Sequence, residues 1–84
     1  MLKFHMSPTI LIHGKYRFFF NSREEKRMHI HVQSPAGVAK FWLEPIVSLE
    51  NYYRLSSKEL RLLMEIVEEQ QNEFKNSWKK HFGQ

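Results

Sequence analysis

The segment Met28-His29-Ile30-His31-Val32 constrains the chain more than any other. Its strict alternation has the two-residue period of a strand, which sends Met28, Ile30 and Val32 to one face and both imidazoles to the other. The apolar side requires a core, and the imidazole side is open to chemistry. Ser34-Pro35-Ala36-Gly37 is a turn by composition, and Val38 to Leu43 follows it as a second strand. Symmetric closure of that turn pairs Met28 with Leu43, Ile30 with Phe41 and Val32 with Ala39, all apolar. The opposite face then receives His29 with Trp42, His31 with Lys40 and Gln33 with Val38. A slip of one residue mixes buried and exposed types on both faces, so the register is determined.

Upstream, Thr9-Ile10-Leu11-Ile12-His13, Gly14-Lys15 and Tyr16-Arg17-Phe18-Phe19-Phe20 read as a tight hairpin, with Gly14 supplying the positive φ of a two-residue turn. This predicts Leu11 opposite Phe18 and Ile10 opposite Phe19. Both faces of the hairpin carry bulky apolar groups, which predicts that it is sandwiched in the core or covered by a second subunit. Asn21 to Arg27 is a charged loop. Pro45 interrupts the chain, and Ile46 to Leu49 is read as a further short edge strand.

Ser56-Ser57-Lys58-Glu59 has the spacing of a capping box, and Leu60, Leu63, Val67, Phe74 and Trp78 recur at helical intervals up to Gly83. One long helix over 56–82 follows, with Gln70 and Gln71 inside its apolar stripe. The fold expected is α+β, an antiparallel meander of four or five short strands with one C-terminal helix packed on one face. The 84 residues make a single domain, with 1–7 a flexible N-terminal extension and 8–50 the sheet. No stretch reaches the length of a membrane-spanning helix and no secretory signal is visible, so the expected location is the cytoplasm.

The block Tyr16 to Phe20, the loop opening Asn21-Ser22, His29-Ile30-His31-Val32, Ala39-Lys40-Phe41-Trp42-Leu43-Glu44-Pro45 and the helix end Trp78-Lys79-Lys80-His81-Phe82 resemble the small bacterial proteins of the domain of unknown function 4160 family. The resemblance spans nearly the whole chain from Pro8. It implies a small protein found beside another small protein, in arrangements like toxin–antitoxin or related regulatory pairs. In a common pattern of that family prolines, and often an acidic residue, precede the first histidine. Glu24-Glu25-Lys26-Arg27-Met28 stand there instead.

Three kinds of chemistry are open to the imidazole face. Cysteine and aspartate are absent, which excludes disulfides, thiolate zinc sites and cysteine nucleophiles and leaves glutamate as the only carboxylate side chain. His29 and His31 at i and i+2 have the spacing of a His-x-His metal site, for which His5, His13, His81, Glu44 or Glu50 would have to supply a third ligand. Alternatively His29 and His31 move protons while Lys40 holds a phosphate, as in a metal-independent ribonuclease. Lys3, Lys15, Arg17, Arg23, Lys26, Arg27 and Lys40 outnumber Glu24 and Glu25 in the first 43 residues. With Trp42 for stacking and Arg17, Arg27 and Lys40 for attraction, the face could bind RNA or DNA. The third class is an interaction protein, since the two-faced hairpin, Tyr52-Tyr53 and the long helix exceed what one thin sheet buries. The expectation is a regulatory or toxin–antitoxin-type protein that binds a protein partner or a second copy of itself, with no cofactor and with catalysis left open.

Overall fold

A computed structural model describes residues 9–21 and 25–83. Five strands, β1 (Thr9–His13), β2 (Tyr16–Phe19), β3 (His29–Gln33), β4 (Val38–Trp42) and β5 (Ser48–Tyr53), precede one helix, α1 (Ser57–Phe82). The strands form one antiparallel sheet in sequence order, a meander with β1 and β5 at its edges. The extension expected over 1–7 lies outside the described residues.

The central register is the one that alternation requires. His29 stands opposite Trp42, Ile30 opposite Phe41, His31 opposite Lys40, Val32 opposite Ala39 and Gln33 opposite Val38. The Leu43 amide donates to the Met28 carbonyl and extends the pairing by one step. Tyr16, Phe18, Phe20, Ile30, Val32, Ala39, Phe41 and Leu43 are buried beneath the helix residues Leu63, Ile66, Val67, Phe74 and Trp78. Phe18 stacks on Phe74 and Phe20 meets Trp78 edge to face. Burial of this set is the main stabilising term, each fully buried large apolar side chain contributing about 1.5–3 kcal/mol.

The helix begins where its capping box lies. Ser56 Oγ accepts from the Glu59 amide and the Glu59 carboxylate accepts from the Ser56 amide. Glu59 also accepts from the Tyr16 hydroxyl at 2.7 Å and lies 3.5 Å from Lys15 Nζ, which ties the first helical turn to the first hairpin. The backbone amide of Ser56, then Tyr16, hold the Glu59 carboxyl down to a pKa of about 2. Burial, followed by the bond to Glu59, pushes the Tyr16 phenol up. At the other end Gly83 takes the left-handed conformation and its amide donates to the Lys79 carbonyl.

Three expectations are corrected. Phe19 pairs with Thr9 rather than Ile10, because Ile10 is the extra residue of a bulge between Thr9 and Leu11. The bulge breaks the alternation and lets Ile10 and Leu11, adjacent in sequence, both pack against the core. Of the two arrangements expected for the first hairpin, the sandwich is not formed among the described residues, which leaves cover by a second subunit as the alternative. α1 covers one of its faces, while on the other Ile12 is 61% exposed and Phe19 lies under the Arg17 guanidinium. Lastly, the edge strand runs over Ser48–Tyr53 instead of Ile46 to Leu49. The residues between Trp42 and Ser48 are needed to reverse the chain, so Ile46 stands exposed in the connection.

Candidate functional site

α1 packs against one face of the sheet and, among the described residues, leaves the other uncovered except at His29, which Trp78 touches. Cross-strand registration orders the side chains of that open face into rows. One row runs Ile12, Arg17, Gln33, Val38, Tyr53. The next runs Thr9, Phe19, His31, Lys40, Asn51. The third holds His29, Trp42 and Ser48. His29, His31, Lys40, Trp42 and Arg17 are in these rows and Arg27 reaches them from the preceding loop, whereas His13, Glu44, Glu50 and His81, raised as third metal ligands, are not.

The two imidazoles differ. His31 is half-buried on the open face and stacks on Phe19 with centroids 5.4 Å apart. His29 is only 3% exposed, wedged edge-on between Trp42 and the helix residue Trp78. Its Nδ1 lies 2.6 Å from the Arg27 carbonyl oxygen, which can only accept, so Nδ1 carries a proton. The His29 and His31 rings are nearly perpendicular, with centroids 5.1 Å apart. Among the described residues no group of three His or Glu side chains converges as a metal site would require.

The cations are held on aromatic faces. Arg27 lies 4.1 Å and Lys40 4.6 Å from the centre of the Trp42 ring, and Arg17 4.4 Å from that of Phe19. Each also has an oxygen partner. Arg27 Nε donates to the Glu44 carbonyl, Arg17 donates to Thr9 Oγ1 and Gln33 Oε1, and Lys40 pairs with the Glu25 carboxylate. Positive charge on this face is therefore locally balanced at Lys40 and spread over aromatic rings elsewhere.

A groove of about 360 Å³ crosses the face where β3, β4 and β5 adjoin, lined by Phe19, His31, Val38, Lys40, Asn51 and Tyr53 among others. The β3–β4 turn stands next to the Val38 and Tyr53 pair that lines the groove. Ser34 Oγ accepts from the Ala36 and Gly37 amides, and a side chain at Gly37 would collide with the Tyr53 and Arg54 carbonyls. Close approach of β5, rather than an unusual φ, is what requires glycine there.

The sequence pointed to His31, Lys40, Trp42 and Arg17 on a common face, and the sheet brings them together. It did not point to Glu25, Asn51 or the Trp78 contact with His29, and it raised Tyr53 only as surplus hydrophobicity beside Tyr52, not as a neighbour of Val38. Phe19 opposite His31 was within reach of the alternation, because extending the register of the second hairpin to its neighbour places it there. The Glu25 pairing carried no pattern, since a loop residue has no period. Arg23 and His5, also raised as contributors, lie outside the described residues.

Residues 15–79 match the family described as Domain of unknown function (DUF4160). No curated protein and no solved structure matches the chain.

Proposed function

Since the chain belongs to the DUF4160 family, whose description names no activity, its role has to be argued from the open face, and we propose that this face binds a protein partner. The protein is then a small cytoplasmic regulatory component of the toxin–antitoxin type. One observation carries the reading: Val38 and Tyr53 stand side by side on β4 and β5, 46% and 62% exposed, in the same row as Ile12. They continue into Phe19 and Trp42, whose rings are capped by Arg17 and Arg27. Aromatic and arginine side chains around a small apolar patch are the composition of interface centres. That the buried residues of α1, Leu63, Ile66, Val67, Phe74 and Trp78, are engaged with the opposite face supports assigning the patch to an external partner.

The test is co-expression with the product of the adjacent gene, the partner that the family resemblance implies, followed by size-exclusion chromatography with light scattering. A stoichiometric complex that Val38→Glu or Tyr53→Ala dissociates, and that Lys80→Glu on the outer side of α1 leaves intact, supports the proposal. A complex indifferent to Val38→Glu, or a monomer at micromolar concentration with no partner bound, overturns it. A homodimer sensitive to the same substitutions assigns the face to a second copy.

A second reading, RNA or DNA binding, is favoured by the placement of both Arg27 and Lys40 on the Trp42 ring. It predicts salt-dependent binding to a single strand that Arg27→Ala with Lys40→Ala abolishes and Val38→Glu does not. A ribonuclease would further require His31 and Lys40 to act together. Loss of cleavage in His31→Ala, with binding retained, is the mark of that variant of the reading.

A further inference from the structure

Lys40 already holds a carboxylate. Its Nζ pairs with the side chain of Glu25, which arrives from the loop before β3. The two partners are held very differently. Lys40 stands in the middle of β4, registered with His31 on one side and Asn51 on the other, and its side chain is 17% exposed. Glu25 belongs to an irregular segment and its side chain is 43% exposed. The cation is fixed by the sheet, and the anion is the exchangeable member of the pair.

We propose that the groove beside Lys40 receives an acidic peptide segment of the protein partner, whose Glu or Asp carboxylate displaces Glu25. The proposal rests on the protein-partner reading above and specifies its chemistry. Charge complementarity argues for a carboxylate, because the ammonium is already accommodated against one. Glu50 is the extra residue of the β4–β5 bulge and lines the same groove, where it opposes a second negative charge. A monoanion therefore suits the site better than a phosphate dianion.

Spacing adds a second element of recognition. Lys40 with Asn51, and Val38 with Tyr53, are two residues apart along the same face. Alternate side chains of an extended segment repeat at about 6.6 Å. A carboxylate placed on Lys40 thus sets the side chain two residues along over Val38 and Tyr53. The segment selected has an acidic residue, then any residue, then an apolar or aromatic one. Glu25 acts as a tethered competitor, which keeps weak acidic ligands out until one with the apolar contact arrives.

The experiment is an NMR titration of the uniformly labelled full chain with three probes: N-acetyl-Glu-Ala-Phe-amide, the matching Gln peptide and inorganic phosphate. Saturable shifts at Lys40, Asn51 and Tyr53 are expected for the Glu peptide, with the Gln peptide much weaker. Glu25→Gln should tighten Glu-peptide binding roughly fivefold, the effect of removing a competing partly exposed ion pair, and Lys40→Met should abolish it. Circular dichroism shows whether each variant is folded. Should Lys40→Met unfold, the Glu25→Gln variant and the Gln peptide decide alone. No tightening in Glu25→Gln, equal binding of the Gln peptide, or phosphate binding the groove more tightly than the peptide overturns the proposal. A partner complex sensitive to Val38→Glu, without any peptide binding, overturns the exchange at Lys40 and leaves the docking reading standing. Peptide binding without such a complex overturns the docking reading instead.

Discussion

Trp78 offers a sharp test of how the core is built, because its indole is 1% exposed and its Nε1–H has no acceptor among the described residues. Its ring is packed against Phe82, Phe20 and His29, with centroids at 4.3, 5.3 and 4.9 Å. Replacing the indole by a phenyl ring, Trp78→Phe, has three calculable consequences. Roughly 40 Å² less apolar surface is buried, a loss of about 1 kcal/mol. A residual cavity of roughly 40 Å³ costs about 1 kcal/mol more. Against these, removal of a buried donor without a partner returns about 1–3 kcal/mol of desolvation.

The terms nearly cancel, so Trp78→Phe is expected to fall within about 1 kcal/mol of the parent stability, whereas Trp78→Ala, which empties the site, should lose about 3–5 kcal/mol. Urea unfolding measures both, with Trp42 left as the only indole fluorophore in either variant. At an m-value near 1 kcal/mol/M the Phe variant shifts the midpoint by less than about 1 M. A loss of 3 kcal/mol or more in Trp78→Phe refutes the reasoning. It would mean that the N–H is satisfied, with the imidazole of His29 as the nearest polar ring.

Two further outcomes follow from local geometry. Gly37→Ala pushes a methyl group into the Tyr53 and Arg54 carbonyls, backbone atoms that cannot swing aside, and should cost about 1–3 kcal/mol while loosening the Val38–Tyr53 end of the β4–β5 pairing. Amide exchange along β5 and urea unfolding check this, and a variant as stable as the parent with unchanged protection contradicts it. For Glu59, whose pKa falls from 4.5 to about 2 on folding, the stabilisation is present above the unfolded value and is lost as pH drops from about 4.5 towards 2. Unfolding midpoints of the parent should therefore decline across that window while those of Glu59→Gln stay flatter. Parallel curves for the two proteins would refute the assignment.

The parts of the fold that were legible in the sequence are those where one local rule had no competitor. In β3 and β4 the alternation fixed both faces, because any other register buries lysine or exposes phenylalanine. Ser56, Glu59 and Gly83 marked the helix ends by chemistry that acts within a single turn. The legible part stopped where two rules conflicted or where the decisive contact was distant. At Ile10-Leu11 two adjacent apolar residues both sought the core, and a bulge resolved what alternation could not. β5 contributes only half-buried Leu49 to the core while Glu50, Asn51, Tyr52 and Tyr53 face water, so its hydropathy gave no strand signal and the apolar Ile46-Val47 drew the reading upstream. Glu25 meets Lys40, and Trp78 meets His29, across 15 and 49 residues of chain; neither distance has a period.

The same alternation that puts His29 and His31 on one face also separates their roles. His31 is in the second row of the open face, beside Lys40 and at the groove. His29 is two residues nearer the start of β3, where the end of α1 reaches it: the Trp78 and Trp42 rings both pack against the imidazole, and the Arg27 carbonyl accepts a hydrogen bond from its Nδ1–H. An imidazole so enclosed aligns the helix end, the strand start and the Arg27 loop, and through Arg27 it fixes the guanidinium on Trp42. On the proposed reading, any binding at the open face involves His31 and Lys40, and the enclosed His29 acts by holding the helix end and the Arg27 loop in place. His29→Ala should accordingly weaken packing at the helix end and loosen Arg27, whereas His31→Ala should leave the fold intact and alter only what binds in the groove.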